Sequence, residues 1–177
     1  IELIEKSFLS DDLKKQYMKL VDMQKNPPAG IVFDEHKGER PIQFIERFCK
    51  HSKGEWAGKP LKLQLFQKAF IQALFGFIDP ATGLRIYREA MFYVARKNGK
   101  SVMLAGIALY CLVADHEAGA EVYSVATKKD QSKIIFEEVC NMVKQSPSLR
   151  NCLRKRKTDL YFPATFSKMQ PLGKNSD

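Results

Sequence analysis

Residues 91–110 read MFYVARKNGKSVMLAGIALY: an apolar run, a short polar segment and a second apolar run. The first run has the length and apolar character of a buried strand, and the second is typical of an apolar helix. In a strand–loop–helix unit of this kind, the backbone N–H groups of the loop and the positive end of the helix point toward the same anion. The stretch therefore predicts a loop that binds phosphate.

The loop matches part of the phosphate-loop pattern G-x-x-x-x-G-K-[ST], with Val94 in the place of the first glycine. In this pattern Lys100 reaches the outer phosphates and Ser101 offers its hydroxyl to Mg²⁺. Asn98 and Gly99 shape the loop and supply N–H donors. The alternative is a plain strand-to-helix turn with a solvated lysine and an ordinary first-turn serine. The unbroken strand, loop and helix favour nucleotide binding over that alternative.

The composition indicates a basic protein with room for one core. The chain has 177 residues, with 29 Lys and Arg against 20 Asp and Glu, and a net charge of +9. This length suffices for one α/β domain. The positive surplus favours a polyanionic partner such as DNA or RNA, and a surface that is merely solubilising is the alternative.

The cysteines and histidines predict neither a disulfide framework nor a metal site. The four cysteines include no C-x-x-C pair, and the three histidines are scattered. We expect reduced thiols in a cytosolic protein. No apolar run reaches membrane-spanning length and no signal peptide is visible. The start at Ile1 rather than Met predicts a fragment.

Residues 1–58 are predicted to form a small helical N-terminal appendage without chemistry of its own. Apolar residues at helical spacing indicate a helix over 4–24, and Pro41 is expected to open a second amphipathic helix. Residues 59–177 are predicted to be the N-terminal part of an α/β domain of the phosphate-loop NTPase type.

Within this second part, the elements alternate. After an apolar helix through Phe70 and Phe75, the pattern predicts strands over 84–88, 90–95 and 121–126, with a helix from 101 to about 114. Thr127 as N-cap and Asp130 three residues later have capping-box spacing before a helix that reaches Gln145. This order of strands and helices argues for a parallel sheet flanked by helices.

Four groups of residues resemble one known family, the N-terminal ATPase domain of the tailed-phage terminase large subunit. Residues 95–101, Ala-Arg-Lys-Asn-Gly-Lys-Ser, are close to the phosphate loop of one terminase branch, which also tends to lack the first glycine. Residues 60–67 are similar to the family's upstream Leu-x-x-Trp-Gln element, and residues 126–131 to its Ala-Thr-x-x-x-Gln turn. Phe33-Asp34 and residues 44–46 fit its N-terminal region.

The resemblance implies an ATPase that uses ATP and Mg²⁺ and couples hydrolysis to DNA translocation into a capsid. Lys100 and Arg96 would be catalytic, with Arg96 at the γ-phosphate, or a surface residue as the alternative. Gln67 would read the adenine edge, or be a helix-surface glutamine. The implied nucleotide-binding residues are Gln67, Arg96, Lys97, Asn98, Gly99, Lys100 and Ser101.

Nucleic acid would contact basic residues at two places. Lys128, Lys129 and Gln131 follow the second strand, at the edge where open parallel sheets bind ligands. Arg154 and Arg156 lie in a basic run over residues 150–157, which would hold DNA or offer an arginine to a neighbouring subunit. The alternative for both places is a solvated surface.

One departure from the family pattern concerns its acidic strand. No strand that ends in Asp-Glu follows the loop, so the fold is expected to be truncated before this acidic (Walker B) strand and before the family's nuclease domain. Asp115, Asp130 and Asp159 do not fit the missing role. We therefore expect the chain to bind ATP and to hydrolyse it slowly, because the attacking water lacks a positioned base.

The implied partners are double-stranded DNA, the portal, the small terminase subunit and further copies of the chain on the capsid, with no membrane. The implied location is the cytoplasm of an infected or lysogenic bacterial host. Two other hypotheses stay open: a helicase-type DNA-dependent ATPase on the same fold, and a basic nucleic-acid-binding module with a vestigial phosphate loop.

Overall fold

A computed structural model describes residues 11–174, apart from the side chains at positions 13, 129 and 174. The expected helix over 4–24 falls partly outside this range. The helices and strands in chain order are α1 (Asp11–Lys25), β1 (Val32–Phe33), α2 (Glu35–Phe48), α3 (Leu65–Gly76), β2 (Phe77–Ile78), α4 (Lys100–Val113), β3 (Glu121–Lys128), α5 (Lys129–Gln145), α6 (Pro147–Cys152), β4 (Arg154–Lys155), β5 (Leu160–Phe162) and β6 (Ser167–Lys174).

The chain divides into two compact units. The first unit comprises residues 1–43 and 62–93, and the second comprises residues 44–61 and 94–177. The boundary near residue 58 that the sequence suggests stays a prediction.

The first unit is built around α3 and a short antiparallel pair. Strands β1 and β2 pair with Phe33 opposite Phe77, and the two rings lie 5.1 Å apart. Ile71 of α3 is fully buried. Gly76 ends α3 directly beneath Phe33, where any Cβ would overlap the Phe33 ring. The bare backbone at this position lets the helix run into β2 without pushing the strand pair apart.

Helix α2 begins six residues before Pro41, so the expectation that Pro41 opens it is wrong. The side chain of Asp34 accepts a hydrogen bond from the backbone N–H of Lys37 at 3.0 Å, which caps the helix at this earlier point. Pro41 then lies inside the helix and removes one backbone donor. Its ring is fully buried, and this packing offsets the missing hydrogen bond.

The second unit contains a four-stranded sheet in the order β3-β6-β5-β4. Strands β3 and β6 are parallel, and β6, β5 and β4 pair antiparallel. Glu121 and Lys168 face each other across the parallel pair and form an ion pair of 2.7 Å. Helices α4 and α5 pack against each other and against the sheet. The expected α/β class is confirmed, with the parallel pair continued by an antiparallel hairpin.

Helix α4 lies close to the C-terminal half of α2. A Cβ at Gly106 would come 2.9 Å from Cγ1 of Ile45, and both residues are fully buried. Only a glycine therefore allows these two helices to approach as they do.

The strand expected over 90–95 is not formed. Met91 and Tyr93 are 87% and 85% exposed, and Phe92 packs on Phe70 with ring centroids 4.6 Å apart. A strand needs a neighbouring strand to take up its backbone N–H and C=O groups, and none of the described strands runs beside this segment. The expected strand over 84–88 is likewise reduced to a single bridge between Ile78 and Arg85.

The expected capping box before α5 is also wrong. Strand β3 continues through Thr127, and Lys128 is the N-cap, without a side-chain hydrogen bond to the helix. Asp130 forms an ion pair with Lys133 at 3.1 Å instead. The parallel pairing with β6 is interrupted after Val125 and resumes at Lys128, so Thr127 lies inside the strand rather than at the start of the helix.

Candidate nucleotide-binding site

Helix α4 begins at a loop whose backbone is set by two left-handed residues. Gly99, the N-cap, has φ 69° and ψ 16°, and Lys97 has φ 67°. A non-glycine residue in this region costs about 1–2 kcal/mol, so Lys97 holds its conformation against a local preference. Such strain is typical of loops that the surrounding structure holds in a functional shape.

The start of α4 presents unused backbone donors. The first helical hydrogen bond runs from the N–H of Met103 to the carbonyl of Gly99 at 2.9 Å. The N–H groups of Lys100, Ser101 and Val102 therefore have no acceptor within the helix, and no side chain caps it. Together with the positive end of the helix, these donors suit a phosphate group.

Side chains of the loop brace its backbone. The Asn98 amide donates to the carbonyl of Ala95 at 3.2 Å, which ties the two ends of the polar segment together. The Lys100 ammonium donates to the carbonyl of Val94. The Lys100 side chain thus folds back over the loop, and the neutral carbonyl of Val94 holds its charge near the start of the helix.

The rest of the loop is open to solvent and cationic. Arg96, Lys97 and Ser101 are exposed, and Lys100 is half-buried. No acidic residue lies within residues 95–101. The loop therefore combines three positive side chains, a hydroxyl and several N–H donors, and this donor set fits a triphosphate with its bound Mg²⁺.

Gln67 belongs to the first unit and has a local role. It is 5% exposed, and its Oε1 accepts the backbone N–H of Gln64 at 2.9 Å at the start of α3. This bond fixes the orientation of the amide. The reading of an adenine edge by Gln67 stays a prediction.

The residues expected to contact nucleic acid differ in their surroundings. Lys128 and Gln131 are exposed at the end of β3 and the first turn of α5, and Arg154 is exposed in β4. The side chain of Lys129 lies outside the described part. The guanidinium of Arg156 makes two hydrogen bonds to Asp159, at 2.7 and 2.6 Å, and lies 4.1 Å from the ring centre of Tyr161.

The ion pair shifts the pKa of both of its members. Hydrogen bonding to Arg156 holds the pKa of Asp159 below its usual range, and the same bond raises the pKa of Arg156. Both side chains are engaged within the β4–β5 hairpin. A phosphate contact by Arg156 would have to compete with Asp159.

Asp115 lies beyond the far end of α4 from the loop. It follows the last turn, where its N–H donates to the carbonyl of Tyr110 at 3.1 Å. A 14-residue helix spans roughly 21 Å, so this carboxylate is distant from the helix start.

Among the described residues, no cluster of three or more His, Cys, Asp or Glu could hold a metal ion. None of the helices in that part of the chain is long and apolar enough to cross a membrane.

Sequence reasoning overlooked Lys133 and Lys144, which line a groove with residues of the hairpin. Their spacing of 11 residues on one helix places them on the same face, and this was the available signal. The hydrogen bond from the Asn98 amide to the Ala95 carbonyl could not be predicted from the sequence, because it depends on the conformation of the loop.

A left-handed glycine and a lysine at the start of an apolar helix, within an α/β unit, define a candidate nucleotide-binding protein. The family described as "Terminase large subunit, ATPase domain" matches residues 65–177. The chain belongs to this family, as its sequence pattern predicted.

Two comparisons concern phage HK97. The terminase large subunit of Enterobacteria phage HK97 is 38% identical over 115 residues, which cover 64% of this chain and 22% of that protein. The crystal structure of the HK97 bacteriophage large terminase aligns with a TM-score of 0.66 and 32% identity. That alignment covers 77% of this chain and 27% of the HK97 chain. This chain thus spans about a quarter of the length of these relatives.

Proposed function

We propose that this chain binds ATP with Mg²⁺ at the loop before α4 and serves as ATPase in a viral DNA-packaging motor. The observation that carries the proposal is the loop itself: three unused N–H donors, Lys100 and Ser101 stand at one helix start, in a chain that matches the terminase ATPase domain. In this proposal hydrolysis drives the translocation of DNA into a capsid.

The loop residues would act mainly by charge neutralisation. The N–H groups at the start of α4 hold phosphate oxygens, and Lys100 exchanges the Val94 carbonyl for the β- and γ-phosphates. A phosphate oxygen is the better acceptor because it carries a charge. When bound, Mg²⁺ supplies further neutralisation of the phosphates, and the Ser101 hydroxyl would be one of its ligands.

Arg96 would act at the γ-phosphate. It is exposed in the loop, four residues before the first residue of α4. In phosphoryl transfer, charge spreads over the oxygens of the transferred group in the transition state. A guanidinium there stabilises the transition state more than the ground state, so Arg96 is proposed to affect turnover more than binding.

The proposed partners follow from the motor role. They are double-stranded DNA, the portal and the small terminase subunit, together with further copies of the chain on the capsid, in the cytoplasm of the bacterial host. A full-length protein is proposed to carry an endonuclease as well. The family match favours the terminase hypothesis over a helicase-type ATPase. Nucleotide titration separates it from a vestigial loop.

The test is a titration of the chain with a fluorescent ATP analogue and Mg²⁺. Lys100→Ala removes a charge-assisted hydrogen bond worth about 1.5–3 kcal/mol, so affinity should fall roughly 10- to 150-fold. Lys15→Ala, at an exposed position of α1 in the first unit, is the matched control and should bind like the parent chain. Equal affinity of the parent chain and Lys100→Ala would refute the nucleotide site.

A further inference from the structure

A second cationic feature of the molecule lies outside the loop. A groove of about 770 Å³ in the second unit is bounded by α5, the β4–β5 hairpin and the end of β6. Four lysines line it: Lys133 and Lys144 from α5, and Lys155 and Lys157 from the hairpin. We call this feature the lysine groove.

Of the basic residues in the β4–β5 hairpin, some line the groove and others do not. Lys155 and Lys157 line the groove, whereas Arg154 and Arg156 do not. Lys155 ends β4 and Lys157 lies in the turn that follows it, so the strand end and the turn each supply one groove lysine. The basic run therefore divides into a structural part, in which Arg156 binds Asp159, and a part that supplies charge to the groove.

The groove carries a net positive charge. Four lysines stand against one lining carboxylate, Glu137, which leaves a difference of three positive charges. Lys133 shares its charge with Asp130 at 3.1 Å. Lys144 and Lys157 have no ion-pair partner in the described part of the chain. Like charges lining one groove repel each other, and a bound polyanion would relieve this repulsion.

Lys155, the fourth lysine of the groove, is held in position by its neighbours. Lys155 lies 4.8 Å from the ring centre of Phe136 and donates to the carbonyl of Arg156 at 2.6 Å. A lysine whose ammonium is already held by a ring and a carbonyl loses less conformational freedom on binding than an unrestrained one. Lys155 is therefore restrained by its neighbours, whereas no contact of this kind holds Lys144 or Lys157 in the described part of the chain.

The length of the groove decides between a small anion and a polymer. Lys133 and Lys144 are 11 residues apart on α5, so they lie roughly 16 Å apart along the helix axis. One phosphate cannot contact both. One strand of DNA places a phosphate about every 3.4 Å along the duplex axis, so a strand laid along α5 would pass about five phosphates over this distance.

The groove also opens at the edge of the sheet where ligands are expected. Leu172 of β6 lines it and is paired in register with Val125 of β3, near the carboxyl ends of both parallel strands. Open sheets bind ligands at this edge. Lys128 ends β3 at the same edge, so the groove extends the nucleic-acid surface that the sequence predicted there.

We propose that the lysine groove binds the sugar–phosphate backbone of duplex DNA, without reading its sequence, and that Lys144 and Lys157 are the main phosphate contacts. The inference rests on the proposed function, in which DNA is the polymer that the motor moves. It adds the surface on which that polymer lies.

The test measures binding of the 177-residue chain to a random-sequence duplex of about 30 base pairs, by fluorescence anisotropy, over a series of salt concentrations. The plot of log affinity against log salt has a slope of about −0.9 for each phosphate contact. Lys144→Gln combined with Lys157→Gln should therefore flatten the slope by about 1.8 units. Lys15→Gln combined with Lys62→Gln removes the same charge from exposed positions of the first unit and should leave the slope unchanged.

Four results would overturn the groove. The first is an unchanged slope in the groove variant, and the second is an equal flattening in the control variant, which would indicate a general charge effect. The third is tighter binding of an equal-length single strand, or of poly-glutamate, through the same two lysines. The fourth is no DNA binding by the parent chain.

The proposal for the groove and the proposal for the nucleotide site can be refuted independently of each other. The analogue titration of the groove variant and of the parent chain reports on the loop alone. If the groove variant retains nucleotide binding and its salt slope is unchanged, the proposal for the groove is refuted and the proposal for the ATP site is not. Loss of nucleotide binding only in Lys100→Ala, together with a flattened slope in the groove variant, would support both.

Discussion

Arg156 illustrates how one residue in a basic run acquires a particular partner. Its guanidinium donates to both oxygens of Asp159, and its backbone N–H donates to the Asp159 carbonyl at 2.9 Å. A planar guanidinium matches a carboxylate with two parallel bonds, which a lysine cannot do. The pair closes the turn of the β4–β5 hairpin, and its carboxylate is buried, since Asp159 is only 7% exposed.

This pair predicts a pH dependence of stability. Because the folded-state pKa of Asp159 is lowered, its contribution is present above the unfolded-state value of about 3.9 and is lost as pH falls through the folded-state value. Asp159→Asn should therefore lower the unfolding temperature at pH 7, and its difference from the parent chain should shrink toward zero below about pH 4. Thermal unfolding followed by circular dichroism over pH 3–8 measures both.

The control is Asp12→Asn, which removes the same charge from an exposed position of α1. It should unfold close to the parent temperature throughout the pH range. A difference between Asp159→Asn and the parent chain that stays constant down to pH 3 would contradict a role for the ionised carboxylate.

Helix α4 joins the candidate site to the core of its unit. Its first turn supplies the N–H donors, and its middle passes Ile45 at Gly106, where no side chain fits. Glycine inside a helix costs up to about 1 kcal/mol relative to alanine, so local preference favours alanine at this position. Packing opposes that preference, because the fully buried Ile45 has little room to move.

Gly106→Ala tests which effect is larger. The new Cβ would lie 2.9 Å from Ile45 Cγ1, and overpacking in a dense core typically costs about 1–3 kcal/mol. After the gain in helix propensity is subtracted, we expect net destabilisation by up to about 2 kcal/mol in urea unfolding.

A second variant makes the steric cause explicit. Ile45→Ala alone should cost about 2–5 kcal/mol, and combined with Gly106→Ala it should cost less than the sum of the two changes, because it removes Cγ1, Cγ2 and Cδ1, the three atoms nearest the new methyl group. Simple additivity, or a stabilised Gly106→Ala variant, would show that α2 and α4 adjust without strain.

At the scale of the whole molecule, the positive surplus is distributed over several surfaces. The loop before α4 carries Arg96, Lys97 and Lys100, and the lysine groove carries four further cations. A net charge of +9 concentrates polyanions near the protein in general. Only the arrangement of donors at a given place distinguishes a triphosphate site from a surface for a polymer.

Ligand binding to the folded chain should raise its stability as a whole. At an ATP–Mg²⁺ concentration of about 100 times the dissociation constant, the expected stabilisation is about 2.7 kcal/mol. For a protein of this size, this corresponds to a rise of about 5–10 °C in the unfolding temperature. Differential scanning calorimetry with and without ATP–Mg²⁺ measures the rise.

Because its affinity is expected to fall roughly 10- to 150-fold, Lys100→Ala should show at most about half of this rise. The exposed-site variant Lys15→Ala should show all of it. An equal rise in Lys100→Ala would place the nucleotide elsewhere on the chain. The experiment reports on binding even if turnover is slow.

Local patterns in the sequence determined most of the elements near the site. The apolar run after Ser101 forms α4, and residues 121–126 lie within β3, because helical and strand periodicities are properties of neighbouring residues. The Gly-Lys-Ser string also placed the loop at a helix start correctly, since Gly99 readily adopts the left-handed conformation of the N-cap. The family followed from the same string.

The tertiary structure alone decided the features that depend on distant partners. An apolar segment at 90–95 becomes a strand only beside another strand, and Thr127 stays in β3 because β6 pairs with the end of that strand. Lys144 and Lys157 are 13 residues apart in the chain and line the same groove. Hydrogen bonds between strands and the packing of helices on a sheet join residues that no local pattern relates, so the sequence could not show these features by itself.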